Sequence, residues 1–237
     1  MLLLNMSHSE VYNEIFRDLR NVERYEQHLR NSFRRMSLKM RNFPKFIFTE
    51  YVSPRKNNWI ISTKFYGKND FSSTFGVLQV QNGLVLHQVF VNAILDKFTT
   101  LCTFIPHFFE RYAQHNQLTS KGKELIKQLL RDDCSFNIDK TREVSGRKER
   151  DKENNVHACM CHGVGLGYEV GKRHYLMKTY ITYEMTRGRQ KQVLESKRED
   201  IVTTAERVLG KPPKLAVKKD LVADEETIKK IKRKLNK

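Results

Sequence analysis

Apolar residues recur at helical spacing along the first forty residues of the chain. The positions are Val11, Ile15, Leu19, Val22, Leu29, Phe33, Met36 and Met40. Neither Pro nor Gly interrupts residues 7–41, and Pro44 follows, so the pattern predicts one long amphipathic helix. Ser7 or Ser9 is the predicted cap at its start. We expect this helix to dock on the body of the protein, or to pair with a helix of a protein partner.

Short runs rich in β-branched and aromatic residues follow the first helix. They cover residues 46–53, 58–65, 73–80 and 84–91. Asn82 and Gly83 separate the last two runs, and this dipeptide is typical of a two-residue hairpin turn. Residues 95–104 are ambiguous, although the stretch 98–104 favours a strand. The pattern predicts an antiparallel β-meander over residues 46–104.

Helical spacing returns after the meander. Residues 106–131 are predicted to form two helices, because Pro106 suits a first helical turn and Asn116 with Gln117 separates the two pieces. Thr119 is the predicted cap of the second helix. The apolar residues of that second helix are Leu125, Ile126, Leu129 and Leu130.

A second group of strands is predicted beyond a polar stretch at residues 139–155. That stretch is typical of a loop or an interdomain linker, and a basic loop can also clamp a phosphate backbone by ordering on binding. The predicted strands cover residues 157–164, 166–170 and 174–182. Gly163, Gly165 and Gly167 are assigned to hairpin turns rather than to a phosphate loop, because no helix follows them directly. A polar helix is predicted at residues 189–209.

The predicted fold class is α+β. It combines a long N-terminal helix, an antiparallel meander, central helices, a second small antiparallel sheet and a basic helical C-terminus. The corresponding segments are residues 1–44, 45–138, 139–155, 156–210 and 211–237. The last segment has ten basic and four acidic residues, a net charge of +6.

The net charge of the chain is a stronger indication of its partner than any single motif. The 237 residues include 44 Lys and Arg against 27 Asp and Glu, a net charge of +17. Such an excess opposes compactness, so it indicates a polyanionic partner. Nucleic acid is favoured over an anionic membrane surface, an acidic protein or a role in solubility alone. Basic residues predicted to contact phosphates are Arg147, Lys148, Arg150, Lys229, Lys230, Lys232 and Arg233.

Targeting signals and disulfides are not predicted. No apolar run approaches the roughly 18 residues of a membrane span, and the three leucines after Met1 are too few for a secretory signal. The four cysteines are therefore expected to be reduced thiols. These features predict a soluble, intracellular protein without a membrane partner.

The sharpest candidate site lies in the first central helix. His107, Arg111 and His115 follow one another at intervals of four residues and share one helical face. An imidazole can transfer a proton near neutral pH, and a guanidinium can hold a phosphate with two hydrogen bonds. This face is a candidate site for phosphoryl chemistry. The alternative is a structural helix whose His and Arg bind backbone carbonyls and Glu110.

A second candidate lies on the last predicted strand. Lys178, Tyr180 and Thr182 alternate along it and are predicted to point to one side. Together they can hold a phosphate and orient a 2′-hydroxyl group. The alternative is an ordinary half-exposed strand.

A third group contains potential metal ligands. They are His157, Cys159, Cys161 and His162, with His174 or Cys134 as possible additions. Their spacing does not match a zinc finger, so half-buried strand residues are favoured over a zinc site. We expect neither a metal ion nor a cofactor.

The order of these motifs over residues 103–183 resembles small RelE-like and barnase-like bacterial ribonuclease toxins. The similarity consists of a helix with His-x-x-Glu-Arg, a polar gap, and glycine-turned strands that end in Lys-Thr-Tyr-Ile. In those toxins a helix and a sheet form a metal-independent RNA-cleaving site. The resemblance therefore implies roles for His107, Glu110, Arg111, Lys178 and Thr179. The whole chain also resembles uncharacterised phage and mobile-element proteins, which implies a location in the bacterial cytoplasm or a virion.

The predicted function is phosphate-mediated nucleic-acid binding with little sequence specificity, in a phage or mobile-element setting. One alternative is a ribonuclease in which His107, Arg111 and Lys178 are catalytic. Another is a structural or virion-associated protein. Convergence of His107 with strand 178–182 in one cleft favours an enzyme, whereas a continuous basic surface favours a binding protein. The choice between RNA and DNA stays open.

Overall fold

A single mixed sheet organises the part of the chain described by the computed structural model, which is residues 1–91, 99–132, 137–139 and 155–209. Its strands are β1 Lys45–Val52, β2 Asn58–Gly67, β3 Asp70–Val80, β4 Leu84–Val91, β5 Thr99–Phe104, β6 Asn137–Asp139, β7 Asn155–Cys159, β8 Gly163–Gly171 and β9 His174–Thr182. The helices are α1 His8–Lys39, α2 Pro106–His115, α3 Gly122–Asp132 and α4 Gly188–Leu209. The α+β class is confirmed.

The strand order across the sheet is β1-β2-β3-β4-β5-β9-β8-β7-β6. The predicted meander forms β1 to β5, and the predicted second antiparallel region forms β6 to β9. A parallel pair between β5 and β9 joins them, with Leu101 opposite His174 and Phe104 opposite Met177. A parallel pair needs a long crossover, which α2, α3 and β6 to β8 provide.

Helix α1 starts with a capping box at Ser7, which is one of the two predicted caps. The backbone N–H of Glu10 donates to the Ser7 hydroxyl, and the Ser7 backbone N–H donates to the Glu10 carboxylate at 2.8 Å. The helix docks on the sheet by its apolar stripe. That stripe (Val11, Ile15, Leu19 and Val22) packs on Trp59, Ile61, Phe75, Val77, Val89 and Leu101. The docking alternative is therefore the observed one.

Helices cover both faces of the sheet. Helix α4 packs Leu194 and Ile201 on Cys159 and Val164, on the same face as α1. The opposite face carries α2 and α3, whose buried residues are Phe108, Phe109, Tyr112, Leu125, Ile126, Leu129 and Leu130. Among the described helices, none is both long and apolar enough to cross a membrane.

Three local predictions need correction. The strand predicted at residues 157–164 is interrupted by a turn, because β7 ends at Cys159 and β8 begins at Gly163. Gly163, Gly165 and Gly167 lie inside β8 rather than in turns, and neighbouring atoms leave no room for a side chain at Gly163 and Gly167. A Cβ atom at Gly163 would lie 2.4 Å from the Tyr180 ring, and one at Gly167 would lie 1.9 Å from a backbone oxygen. Helix α3 begins at Gly122 rather than next to Thr119, which does not cap it.

Candidate nucleic-acid interface

The acidic residues in the middle of α1 point towards the sheet. Asp18 is fully buried, and its Oδ2 accepts hydrogen bonds from Ser53 Oγ at 2.6 Å, Asn57 Nδ2 at 2.7 Å and Trp59 Nε1 at 2.8 Å. Burial opposes the charge on Asp18, but these donors and Asn21 together lower its pKa below the ordinary value. The negative charge is therefore satisfied on the inner side of the helix.

Two further buried acidic residues of α1, Glu14 and Glu26, are each paired with an arginine. The Arg55 guanidinium donates to Glu14 at 3.0 Å and lowers the pKa of that carboxyl to about 2. Glu26 is buried, accepts from Arg30 Nε at 2.9 Å and accepts from Ser73 Oγ at 3.1 Å. Glu14 is therefore paired with Arg55 and Glu26 with Arg30, and neither carboxylate pairs with another described cation of the helix.

The outward face of α1 is cationic as a result. At 3.6 residues per turn, the side opposite the buried stripe carries residues that are all exposed. They are Asn13, Phe16, Arg17, Arg20, Arg24, Gln27, His28, Asn31, Arg34, Arg35 and Leu38, and we call this set the arginine face. It holds five arginines, none of which forms an ion pair with another described residue. Two acids border this set: Glu10 in the first turn, whose carboxylate accepts from Ser7, and the half-buried Glu23. From Arg17 to Arg35 the arginine face extends about 27 Å.

The candidate residues of α2 lie on the other side of the sheet. His107 is exposed and its Nδ1 lies 3.3 Å from Glu110 Oε2, as the structural alternative predicts. Arg111 donates to Gln114 Oε1 at 2.9 Å, and His115 is half-buried at the end of the helix. His107 and Arg111 thus contact residues of their own helix rather than the strand residues of the second candidate site.

A β-bulge separates Lys178 from Tyr180. Leu166 pairs with Thr179 and Gly167 with Met177, which leaves Lys178 as the extra residue of β9. The Lys178 ammonium lies 5.0 Å from the Tyr168 ring centre, on the face of α1 and α4.

Tyr180 is fully buried on the α2 face, with its ring 5.8 Å from Phe108 and 5.1 Å from Tyr112. Thr182 ends the strand opposite Gly163. The common orientation predicted for Lys178 and Tyr180 is therefore wrong, since the bulge resets the alternation. Lys178 and the pair His107 and Arg111 lie on opposite sides of the sheet.

The described cysteines are buried and form no disulfide bond. They are Cys102, Cys159 and Cys161, and burial raises the pKa of Cys159 to about 11. Burial likewise lowers the pKa of His157. Within the described ranges, no group of three His, Cys, Asp or Glu residues is arranged to hold a metal ion. Burial also raises the pKa of Cys102, so the thiols of Cys102 and Cys159 are protonated core residues.

A largely apolar cavity of about 500 Å³ lies between α2 and α3. Phe109, Ala113 and Leu125 form part of its wall, and Glu110 and Lys121 stand at its rim. The cavity lies on the opposite side of the sheet from the arginine face.

Several predicted contacts lie outside the described residues. They are Arg147, Lys148 and Arg150 of the polar stretch, Lys229, Lys230, Lys232 and Arg233 of the tail, and Cys134. Arg17, Arg20 and Arg24 are not among the residues predicted from the sequence. The available signal was that Glu14, Asp18 and Glu26 share the helical side of the apolar stripe, which leaves the other side to the arginines.

No known protein family, curated protein or solved structure matches this chain.

Proposed function

We propose that this protein binds nucleic acid through its phosphates, with the arginine face as the principal contact. The observation that carries this proposal is the separation of charge across α1. Its buried acids are satisfied by donors of the sheet, by Arg55 and by Arg30 of the same helix, while the five arginines of the arginine face have no acidic partner among the described residues. A surface that serves solubility alone would mix both signs of charge.

Arginine is well suited to this contact. Its planar guanidinium can donate two parallel hydrogen bonds to one phosphate, and it stays charged at any physiological pH. Phosphate contacts position a nucleic acid without reading its sequence, so we expect little sequence preference. A phage or mobile-element setting, in the bacterial cytoplasm or in a virion, fits this proposal.

The alternatives have less support. A ribonuclease site would need His107 and Lys178 in one cleft, but they lie on opposite sides of the sheet. An assembly helix would expose its apolar stripe, whereas the stripe of α1 is buried on the sheet.

The test is the salt dependence of binding by a row variant and a charge-matched control. The row variant replaces Arg17, Arg20 and Arg24 by Gln. The control replaces three exposed cations elsewhere, Lys121, Lys172 and Arg187, by Gln. Both variants lose three charges, and both should keep their melting temperature because all six side chains are exposed.

We expect the row variant to bind a labelled oligonucleotide more weakly, with a shallower plot of log K against log salt. Each lost phosphate contact reduces the slope by about 0.7 to 0.9. The control should keep the wild-type slope. Equal losses in both variants, or salt-independent binding by the wild type, would overturn the proposal.

A further inference from the structure

An aromatic side chain stands at one edge of the arginine face. The Phe16 side chain is 52% exposed, although it belongs to a residue type that is usually buried. Arg20 lies one helical turn after Phe16, so the ring and that guanidinium occupy neighbouring positions, whereas Arg17 lies about 100° further round the helix.

The ring of Phe16 is already held in a stack. It lies parallel to the Tyr12 ring, with an interplanar angle of 5° and a centroid distance of 6.3 Å. Tyr12 is half-buried and in turn lies 6.2 Å from the His174 ring, which is buried in the sheet layer. Because the stack rests on the protein core, Phe16 loses little freedom when a further ring is added.

We propose that the arginine face takes single-stranded nucleic acid, with one base stacked on Phe16 and the adjoining phosphates on Arg17 and Arg20. This inference rests on the proposed function. Proteins that bind single strands combine cations along the backbone with aromatic rings under the bases, and such stacking tolerates any base.

A duplex cannot use the same contact. Its bases are stacked on one another, and exposing one to Phe16 would first require unstacking and unpairing. The arginines still attract duplex phosphates, so both forms bind, but Phe16 strengthens only the binding of single strands. Phe16 is therefore the residue that distinguishes the two forms.

The experiment compares Phe16→Ala, Phe16→Trp and Leu38→Ala in fluorescence anisotropy titrations. Leu38 is the matched control, since it is 54% exposed on the same face and has no ring. The probes are single-stranded RNA and DNA of about 12 nucleotides and the corresponding DNA duplex, a length within the usual range of site sizes. Melting curves establish that each variant is folded.

We expect Phe16→Ala to weaken binding of the single strands by at least about fivefold, with the salt slope unchanged. Phe16→Trp should bind them at least as well as the wild type, and neither change should affect the duplex. Binding of only one of RNA and DNA in this manner would identify the natural strand and would also support the inference.

Two outcomes would overturn it. One is a Phe16→Ala variant that behaves like Leu38→Ala, and the other is an equal loss for single strand and duplex. The row variant keeps this failure separate from failure of the proposed function. If the row variant loses its salt slope while Phe16→Ala changes nothing, phosphate binding stands and only the stacking role is wrong.

Discussion

The indole nitrogen of Trp59 donates a hydrogen bond to the carboxylate of Asp18 at 2.8 Å, across the buried interface between the sheet and α1. The same carboxylate oxygen also accepts from Ser53 and Asn57. These contacts fix the rotation of the helix about its own axis. The orientation of the arginine face towards solvent is thus a consequence of polar contacts as well as of the apolar stripe.

Replacing Asp18 by Ala should destabilise the protein strongly. The change leaves the buried donors of Ser53, Asn57 and Trp59 without their shared acceptor, and the expected loss in unfolding free energy is roughly 3 kcal/mol. Urea denaturation at neutral pH measures it. Glu195→Ala is the control, because the exposed Glu195–Lys191 pair should contribute less than about 0.5 kcal/mol. Similar midpoints for both variants would contradict this account of α1.

Acid should destabilise the fold before its carboxylates titrate. Burial, followed by the charges of His174 and His8, lowers the pKa of His87 to about 3. Burial also lowers the pKa of His174 to about 4. Both rings bond the Thr103 hydroxyl, at 2.9 and 2.8 Å.

The sign follows from proton binding. Each imidazole has a pKa of about 6.5 in the unfolded chain, so below this pH the unfolded chain binds protons that the folded chain excludes. The free energy of unfolding therefore decreases as the pH is lowered. At pH 5 the expected loss is about 2 kcal/mol for each imidazole. Urea denaturation between pH 7 and 5 should show this decline, and the double variant His87→Gln/His174→Gln should have a flatter profile. An equally steep profile in that variant would exclude these two residues as the cause.

Elements that depend on interactions between residues close in sequence could be predicted, whereas those that depend on contacts between distant segments could not. Helix α1, the meander and the hairpin at Asn82 and Gly83 depend on local signals, and both of these residues have positive φ, 49° and 127°. The connection is one residue longer than the predicted two-residue turn, because Val80 pairs with Leu84. The parallel pairing of β5 with β9 joins segments about seventy residues apart, and no local pattern encodes it. The alternation of residue types along β9 likewise gives no indication of the bulge at Lys178.

The glycines of β8 illustrate the same limit. Their spacing suggested turns, but the neighbouring strand leaves no room for a side chain at Gly163, which faces the Tyr180 ring and the Ile181 backbone oxygen, or at Gly167, which faces the Leu176 backbone oxygen. Gly163→Ala should therefore destabilise the protein by roughly 1–3 kcal/mol, because a Cβ atom would lie 2.4 Å from that ring. At Gly171 the nearest atom would lie at 3.8 Å, so Gly171→Ala serves as the tolerated control in thermal melts. A stable Gly163→Ala protein would contradict this account, because both the Tyr180 ring and the Ile181 backbone oxygen, 2.5 Å from the added atom, would have to move.

The positions of His107 and Lys178 also predict whether the protein cleaves RNA. We expect wild-type protein to leave single-stranded RNA intact in the presence of a chelator. A metal-independent mechanism needs a proton-transfer group and a charge-stabilising group at one phosphate, within hydrogen-bonding reach. His107 stands exposed beside Glu110 on α2, whereas Lys178 lies over Tyr168 on the other side of the sheet.

The assay incubates RNA with wild type, His107→Ala and Arg111→Ala and analyses the products for 2′,3′-cyclic phosphate ends. We expect no cleavage by any of the three and equal RNA affinity for all of them, since the arginine face is intact in each. Cleavage by the wild type that disappears in His107→Ala would instead assign α2 a catalytic role. Reduced RNA affinity in Arg111→Ala alone would place part of the phosphate contact on α2, and the arginine face would then not be the sole binding surface.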